Sequence, residues 1–212
     1  MPITAAQVGA LEKLLPDIQV ISWPKSMGWG HKQIKNIWDA YQYVAESASD
    51  EDIIARVDSD VFFFNNRIFN YVSASEADLT GDGHFVNFEY VQGGCYFFRK
   101  LAVEKIYRHI NNKGIETALA ECHTIVEDVA ADFLAKKLAL KVKQTWFMGF
   151  PDELNNMGGI KQKAQLKFSC AHFVMKNKGK MLEAYARDVV TVEEYQSMMD
   201  VISSVTSINS KR

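Results

Sequence analysis

The sequence predicts an α/β fold in which a mixed, mostly parallel sheet is flanked by helices. Two observations carry this prediction. Helix-period and strand-period segments follow one another from the N-terminus in the order helix, strand, loop, helix, strand. Two strands joined by a helical crossover lie parallel, with the helix packed on the sheet. The second of these strands, Asp52 to Val57, is apolar enough to be interior and ends in two carboxylates, Asp58 and Asp60, separated by Ser59. That places both acids at the C-terminal edge of a strand, the edge where open α/β sheets hold their ligands.

Each element has its own local signal. Val8, Leu11, Leu14 and Leu15 have helical spacing after Thr4, a residue suited to an N-cap. Ile18 to Trp23 reads as a short strand stopped by Pro24. A loop with two glycines, Gly28 and Gly30, opens a helix from about His31 to Ala45, with Ile34, Ile37, Trp38, Tyr41 and Val44 on one face. A short helix is expected from Asn65 to Ala77, and a turn at Gly81-Asp82-Gly83. Phe85 to Val91 alternates apolar and polar side chains and predicts a strand, while Cys95 to Arg99 predicts a second one beyond Gly93-Gly94. Helices follow from Lys100 to about Asn111, stopped at Lys113-Gly114, from Ile115 to Cys122, and from Glu127 to about Leu138. Lys141 to Phe147 reads as a strand, and Phe168 to Phe173 is a short apolar segment. The C-terminal part predicts a helix near Met181 to Arg187, another from Val192 to Val201, and a frayed tail. The expected organisation is one catalytic domain over residues 1–190, followed by a C-terminal helix and tail over 191–212.

Composition excludes several classes. The 212 residues are 48% hydrophobic and 24% charged, as in an ordinary globular domain. A formal net charge of -2 argues against general nucleic-acid binding, which needs a basic face. No apolar run is long enough for a transmembrane segment, and the N-terminus has no signal-peptide pattern. Cys95, Cys122 and Cys170 are widely spaced and odd in number, so they read as reduced thiols rather than a disulfide framework or a zinc site. Reduced thiols without a targeting segment predict a cytoplasmic protein.

Chemistry-bearing residues concentrate in five places. Asp58 and Asp60 supply hard oxygen ligands for a divalent cation such as Mg²⁺ or Mn²⁺, although an ordinary solvated turn has the same sequence. Gly93 and Gly94 let a backbone or a ligand approach closely, as does any β-bulge or tight hairpin. Glu127 and Asp128 open a helix, where acids complement the dipole or stand ready as a general base. His172 precedes Lys176 and Lys178, a pattern that can place an imidazole on a cation and ammonium groups on phosphates. Lys32 lies at a helix N-terminus that favours anions.

Taken in order, these features resemble the GT-A class of nucleotide-sugar glycosyltransferases. The resemblance runs from about Ile18 to Arg187 and is strongest at Ala55 to Phe63. It implies a GT-A-like (Rossmann-like) fold and a metal-dependent hexosyltransferase. Such an enzyme moves a sugar from a nucleotide-diphosphate sugar, with a UDP-sugar favoured, to the hydroxyl of a carbohydrate or another acceptor. It implies Mn²⁺ or Mg²⁺ held by Asp58, Asp60 and His172, with Asp58 also near the sugar or ribose. It implies that Asp128 is the base of an inverting reaction, with Glu127 beside it, and that Gly93 and Gly94 line the donor sugar and acceptor.

Two departures stand out. The family's first nucleotide-binding strand has no counterpart before Thr4, and the segment after His172 lacks the Gly and Lys-Pro-Trp pattern of some retaining members. Inversion and retention therefore stay open. Two rivals remain: a sugar-1-phosphate nucleotidyltransferase, for which the expected Gly-rich phosphate loop is missing, and a non-catalytic sugar- or nucleotide-binding relic. Between the two acids, the sequence favours Asp128, because Val129 and Phe133 should be buried while Asp132 continues a polar face.

Overall fold

The computed structural model describes residues 5–14, 30–63, 65–149 and 168–172, together with Glu193 and Gln196. Two units are distinguished, Met1–Ser26 with Leu182–Arg212, and Met27–Met181. In the first, helix α1 spans Ala5–Leu14, where the apolar spacing predicts it. The expected strand at Ile18 to Trp23, Gly28, Lys176, Lys178 and the helix expected near Met181 to Arg187 lie outside the described residues, as does the helix expected at Val192 to Val201 apart from Glu193 and Gln196, which are helical. The architecture below is that of the second unit.

Helix α2 runs His31–Ser47 and buries Ile34, Trp38, Tyr41 and Ala45, one stripe of a 3.6-residue period. Val44, expected on that stripe, is exposed. A polar turn, in which the Asp52 carboxylate accepts from the Ser49 N–H at 2.8 Å, leads to strand β1, Ile53–Val57. Strand β2, Val61–Phe63, follows after three residues. Helix α3 is Arg67–Ala74, and strand β3 is Leu79–Asp82. Strand β4 is Cys95–Arg99, and helices α4 (Lys100–Lys113), α5 (Ile115–Ala120) and α6 (Glu127–Lys137) come next. Strands β5 (Val142–Thr145), β6 (Met148–Gly149) and β7 (Cys170–His172) complete the described elements. Gly114, at φ 79°, ends α4 as the Lys113-Gly114 signal predicts.

The strands form two sheets, one ordered β1-β4-β3-β5 and one ordered β2-β7-β6. The fold is thus α/β with mixed sheets, but the expectation of mostly parallel strands needs correction. Among the described residues β4 is antiparallel to both β1 and β3, and β2 is antiparallel to β7. Only β3–β5 and β6–β7 are parallel. The physical reason lies between β3 and β4. The turn expected at Gly81-Asp82 is the end of strand β3, and the strand expected at Phe85 to Val91 is a 3₁₀ turn, His84–Val86, and a loop. The Asp82 carboxylate accepts from the His84 N–H at 2.9 Å, and Phe88 N donates to Gly83 O at 2.7 Å. Asn87 and Phe88 both adopt positive φ. These local bonds override the period-2 pattern, and the chain doubles back so that β4 enters antiparallel.

Strand β4 is the centre of the packing. All its residues from Cys95 to Phe98 are buried, so it separates two cores. Tyr96 and Phe98 join Ile34, Trp38, Ile106 and Leu134 under the helices. Cys95 and Phe97 join Ile68, Phe147, Met148 and Cys170 on the other side. Trp38, Tyr41 and Phe98 meet with ring centroids 5.1 to 5.8 Å apart, within the range of favourable aromatic pairs.

The three cysteines are free, as the sequence predicts, and all three are buried. Burial pushes the Cys95 thiol up to about 12 and the Cys122 thiol up to about 11. Native protein should therefore leave all three thiols unmodified by Ellman's reagent at pH 8 over minutes, and should release them together on denaturation. Rapid native labelling of any one of them would contradict this packing.

Candidate metal centre

The centre is built where the chain passes from one sheet to the other. Val57 is paired with Cys95, and the ladder extends one step further as Asp58 N donates to Gly94 O at 2.7 Å. Val61 N then donates to Asp58 O at 3.0 Å, closing a four-residue turn over Ser59 and Asp60. Strand β2 leaves this turn and pairs with β7, with Val61 opposite His172. The register delivers the imidazole to the turn: His172 Nε2 is 3.2 Å from Asp60 Oδ1 and 3.9 Å from Asp58 Oδ2. One ligand atom from each of Asp58, Asp60 and His172 lies within 4.8 Å of the others. The Asp60 and His172 side chains are each 6% exposed, whereas that of Asp58 is 39% exposed, so the cluster opens to solvent at Asp58.

The donor set suits a divalent cation. Two carboxylates and one imidazole combine hard oxygen with borderline nitrogen, which fits Mn²⁺ well and Mg²⁺ with more retained water. Burial, with a smaller contribution from Arg56, lowers the pKa of His172 against the opposing pull of Asp60 and Asp58, which favours the neutral ring that ligates. Asp58, Asp60 and His172 are the residues that would hold the ion.

Gly93 and Gly94 fit the space beside this cluster. A Cβ on Gly94 would lie 2.5 Å from His172 Nδ1, and Gly94 adopts φ 101°. A Cβ on Gly93 would lie 2.8 Å from Asp128 Oδ2, which accepts the Gly93 N–H at 2.6 Å. The two glycines thus bring Asp128 and His172 to consecutive residues of one loop.

The two acids at the start of α6 take different places. Asp128 turns to Gly93. Glu127 turns inward, accepting from the Tyr96 hydroxyl, while the Tyr41 oxygen lies 3.1 Å from the same carboxylate oxygen and 2.7 Å from the Tyr96 oxygen, so the two hydroxyl protons are shared among the three contacts. Burial raises the pKa of Glu127, opposed chiefly by Arg56, whose Nε is 3.5 Å away. The reasoning that separated the acids is reversed in detail: Phe133 is exposed and Val129 half-buried, while Asp132 is buried, accepting the Val91 N–H at 3.2 Å. The pattern failed because the loop before β4 packs on α6 and supplies a backbone donor that a carboxylate can follow inward. Lys32 is exposed on α2, and among the described residues no contact joins it to the cluster.

Four contributors escape sequence reading. Arg56 Nη2 is 2.9 Å from Asp58 Oδ1. Its one signal is a charge inside an apolar strand, two residues before Asp58 and therefore on the same face. Tyr41 and Tyr96 carry no signal beyond their apolar setting. Asp82, flanked by glycines, reads as a turn, yet it is fully buried and also accepts from Phe147 N at 2.7 Å and Met148 N at 2.8 Å. Met148 pairs with Cys170, so Asp82 anchors the short sheet that carries His172.

The chain matches no protein-family model and no curated protein sequence. Among the described residues, no helix is long and apolar enough to cross a membrane.

Gly94→Ala should lower stability by roughly 1–3 kcal/mol, because it combines a strained φ with a clash against the His172 ring. The same variant should bind Mn²⁺ more weakly, since the ring must shift. Circular dichroism melts and a Mn²⁺ titration check both, and an unchanged melting midpoint would contradict the contact.

Proposed function

We propose that the chain is a metal-dependent glycosyltransferase of the cytoplasm, using Mn²⁺ or Mg²⁺ to transfer a sugar from a nucleotide-diphosphate sugar to an acceptor hydroxyl. The observation that carries the reading is the meeting of Asp58 and Asp60 with His172, more than a hundred residues later in the chain, within 4.8 Å. A solvated Asp-Ser-Asp turn does not require an imidazole seated between its two carboxylates, 3.2 Å from Asp60 and 3.9 Å from Asp58. The turn also stands at the end of β1, in keeping with a ligand site at a strand end.

A divalent cation bound there would stabilise the negative charge that develops on a departing diphosphate. The protein's part is to hold three ligands and leave the Asp58 side open, with Gly93 and Gly94 giving room to Asp128 and the His172 ring beside them. Asp128 is the carboxylate best suited to accept a proton from the acceptor hydroxyl, because Glu127 is committed to two tyrosines and Arg56. The bond between Asp128 and the Gly93 amide fixes the carboxylate beside the loop that also packs under His172.

A panel of UDP- and GDP-sugars tests the class. Metal-dependent release of nucleoside diphosphate is expected, and it should be lost in Asp60→Asn, an isosteric change at a buried ligand. Release of pyrophosphate from a nucleoside triphosphate and a sugar phosphate would indicate the nucleotidyltransferase instead. Binding without turnover would indicate the relic.

Asp128→Asn should lower turnover by roughly 10²–10⁴-fold with donor binding little changed if the reaction inverts configuration. Product configuration by NMR, measured beside these kinetics, checks the role. Unchanged turnover would leave Asp128 as a holder of the Gly93 amide only.

A further inference from the structure

The metal reading leaves one strong feature of the centre unused: a positive charge already stands beside it. The Arg56 guanidinium is shared between two carboxylates, with Nη2 2.9 Å from Asp58 Oδ1 and Nε 3.5 Å from Glu127 Oε2. The two partners differ in freedom. The Asp58 side chain is 39% exposed, whereas that of Glu127 is 9% exposed and held by the hydroxyls of Tyr41 and Tyr96. The guanidinium also lies over the Tyr96 ring, with Cζ 5.5 Å from the ring centroid. Its remaining nitrogen, Nη1, has no hydrogen-bond partner among the described residues, so the present seat does not satisfy the whole fork. Beside it runs a groove of about 640 Å³ lined by Arg56 with Tyr41, Val44, Asp52 and Ile54.

These two partners act on a divalent cation in opposite directions. A guanidinium paired with Asp58 competes for the carboxylate the ion needs, and it repels the ion at short range. The negative charge of Glu127 attracts the same guanidinium away from Asp58. We infer that Arg56 is a built-in competitor for the cation site, and that Glu127 is the anchor drawing it aside when the ion enters. Both are positioning residues that act through Asp58. The inference rests on Asp58, Asp60 and His172 being a divalent-cation site and is independent of which reaction that site serves.

The test is Mn²⁺ affinity of the full-length chain without nucleotide, read by the electron paramagnetic resonance signal of free Mn²⁺ at fixed ionic strength. Arg56→Met keeps the length of the stem and removes the charge, and it should tighten Mn²⁺ binding about tenfold. Glu127→Gln keeps partners for both tyrosines but releases Arg56 to Asp58, and it should weaken binding by a similar factor. The double variant should follow Arg56→Met, because the anchor then has nothing to hold. A purely structural role would weaken binding in both single variants, so the opposite signs are diagnostic. Arg56→Gln carries the same expectation as Arg56→Met and replaces it if that variant fails to fold. Weaker or unchanged binding in the neutral Arg56 variants, or tighter binding in Glu127→Gln, overturns the competitor role. Wild-type protein that binds no Mn²⁺ overturns the cation site and this inference with it.

Discussion

The centre depends on one constraint: the chain changes sheets within a single turn. β1 belongs to one sheet and β2 to the other, and only Asp58, Ser59 and Asp60 lie between them. The turn is held from both sides. Gly94 O accepts the Asp58 N–H on the β4 side, and the β2–β7 pairing sets His172 opposite Val61. Neither sheet alone would bring three ligands together. This is why the glycine loop matters beyond its own flexibility: it bonds to the turn, packs under the imidazole and holds the Asp128 carboxylate.

Around this joint the protein buries an unusual set of polar groups and satisfies them with backbone. Asp82 takes three backbone N–H donors, Asp132 takes one beside its ion pair with Lys136, and the half-buried Asp128 takes two, from Gly93 and Val129. A buried carboxylate is costly unless hydrogen-bonded. Here each also ties a loop to the element beneath it. Asp82 fastens the start of β6, and Asp132 fastens the loop before β4 to α6. The acids therefore serve as tethers for segments too short to be held by ladder bonds alone, β6 being two residues long.

Much of this was legible in the sequence, and the failures share a cause. The D-x-D turn, the late histidine and the glycine pair were visible because each breaks a local apolar pattern. Helix α2 followed from its apolar spacing, α4 from the Lys113-Gly114 stop and α6 from the two acids at its start. The strand expected at Phe85 to Val91 failed because alternation says nothing of a carboxylate three residues upstream that bonds the backbone into a turn. Parallel pairing was inferred from the crossover at α2, yet the strand on its N-terminal side lies outside the described residues, and the pairs that are described depend on where β4 re-enters. Asp132 and Phe133 exchanged expected roles because helical periodicity assumes a solvent face, and the loop around Val91 removes it. Arg56 was passed over as part of a strand, since only its neighbours in space give it meaning.

The distance along the chain between the ligands has a kinetic consequence. Asp60 and His172 are separated by 112 positions, and the imidazole reaches the turn only through the three residues of β7. Closing so long a loop has an entropic cost that short-range contacts do not share. The β1–β4 and β3–β4 ladders and the packing of α2 on α4 can form over shorter spans. Loop-closure entropy therefore predicts that the ligand cluster assembles late in folding, and on the ribosome it cannot exist until synthesis has passed His172. A bound divalent ion would act at the end of this sequence, as a latch on a completed chain rather than as a seed for its folding.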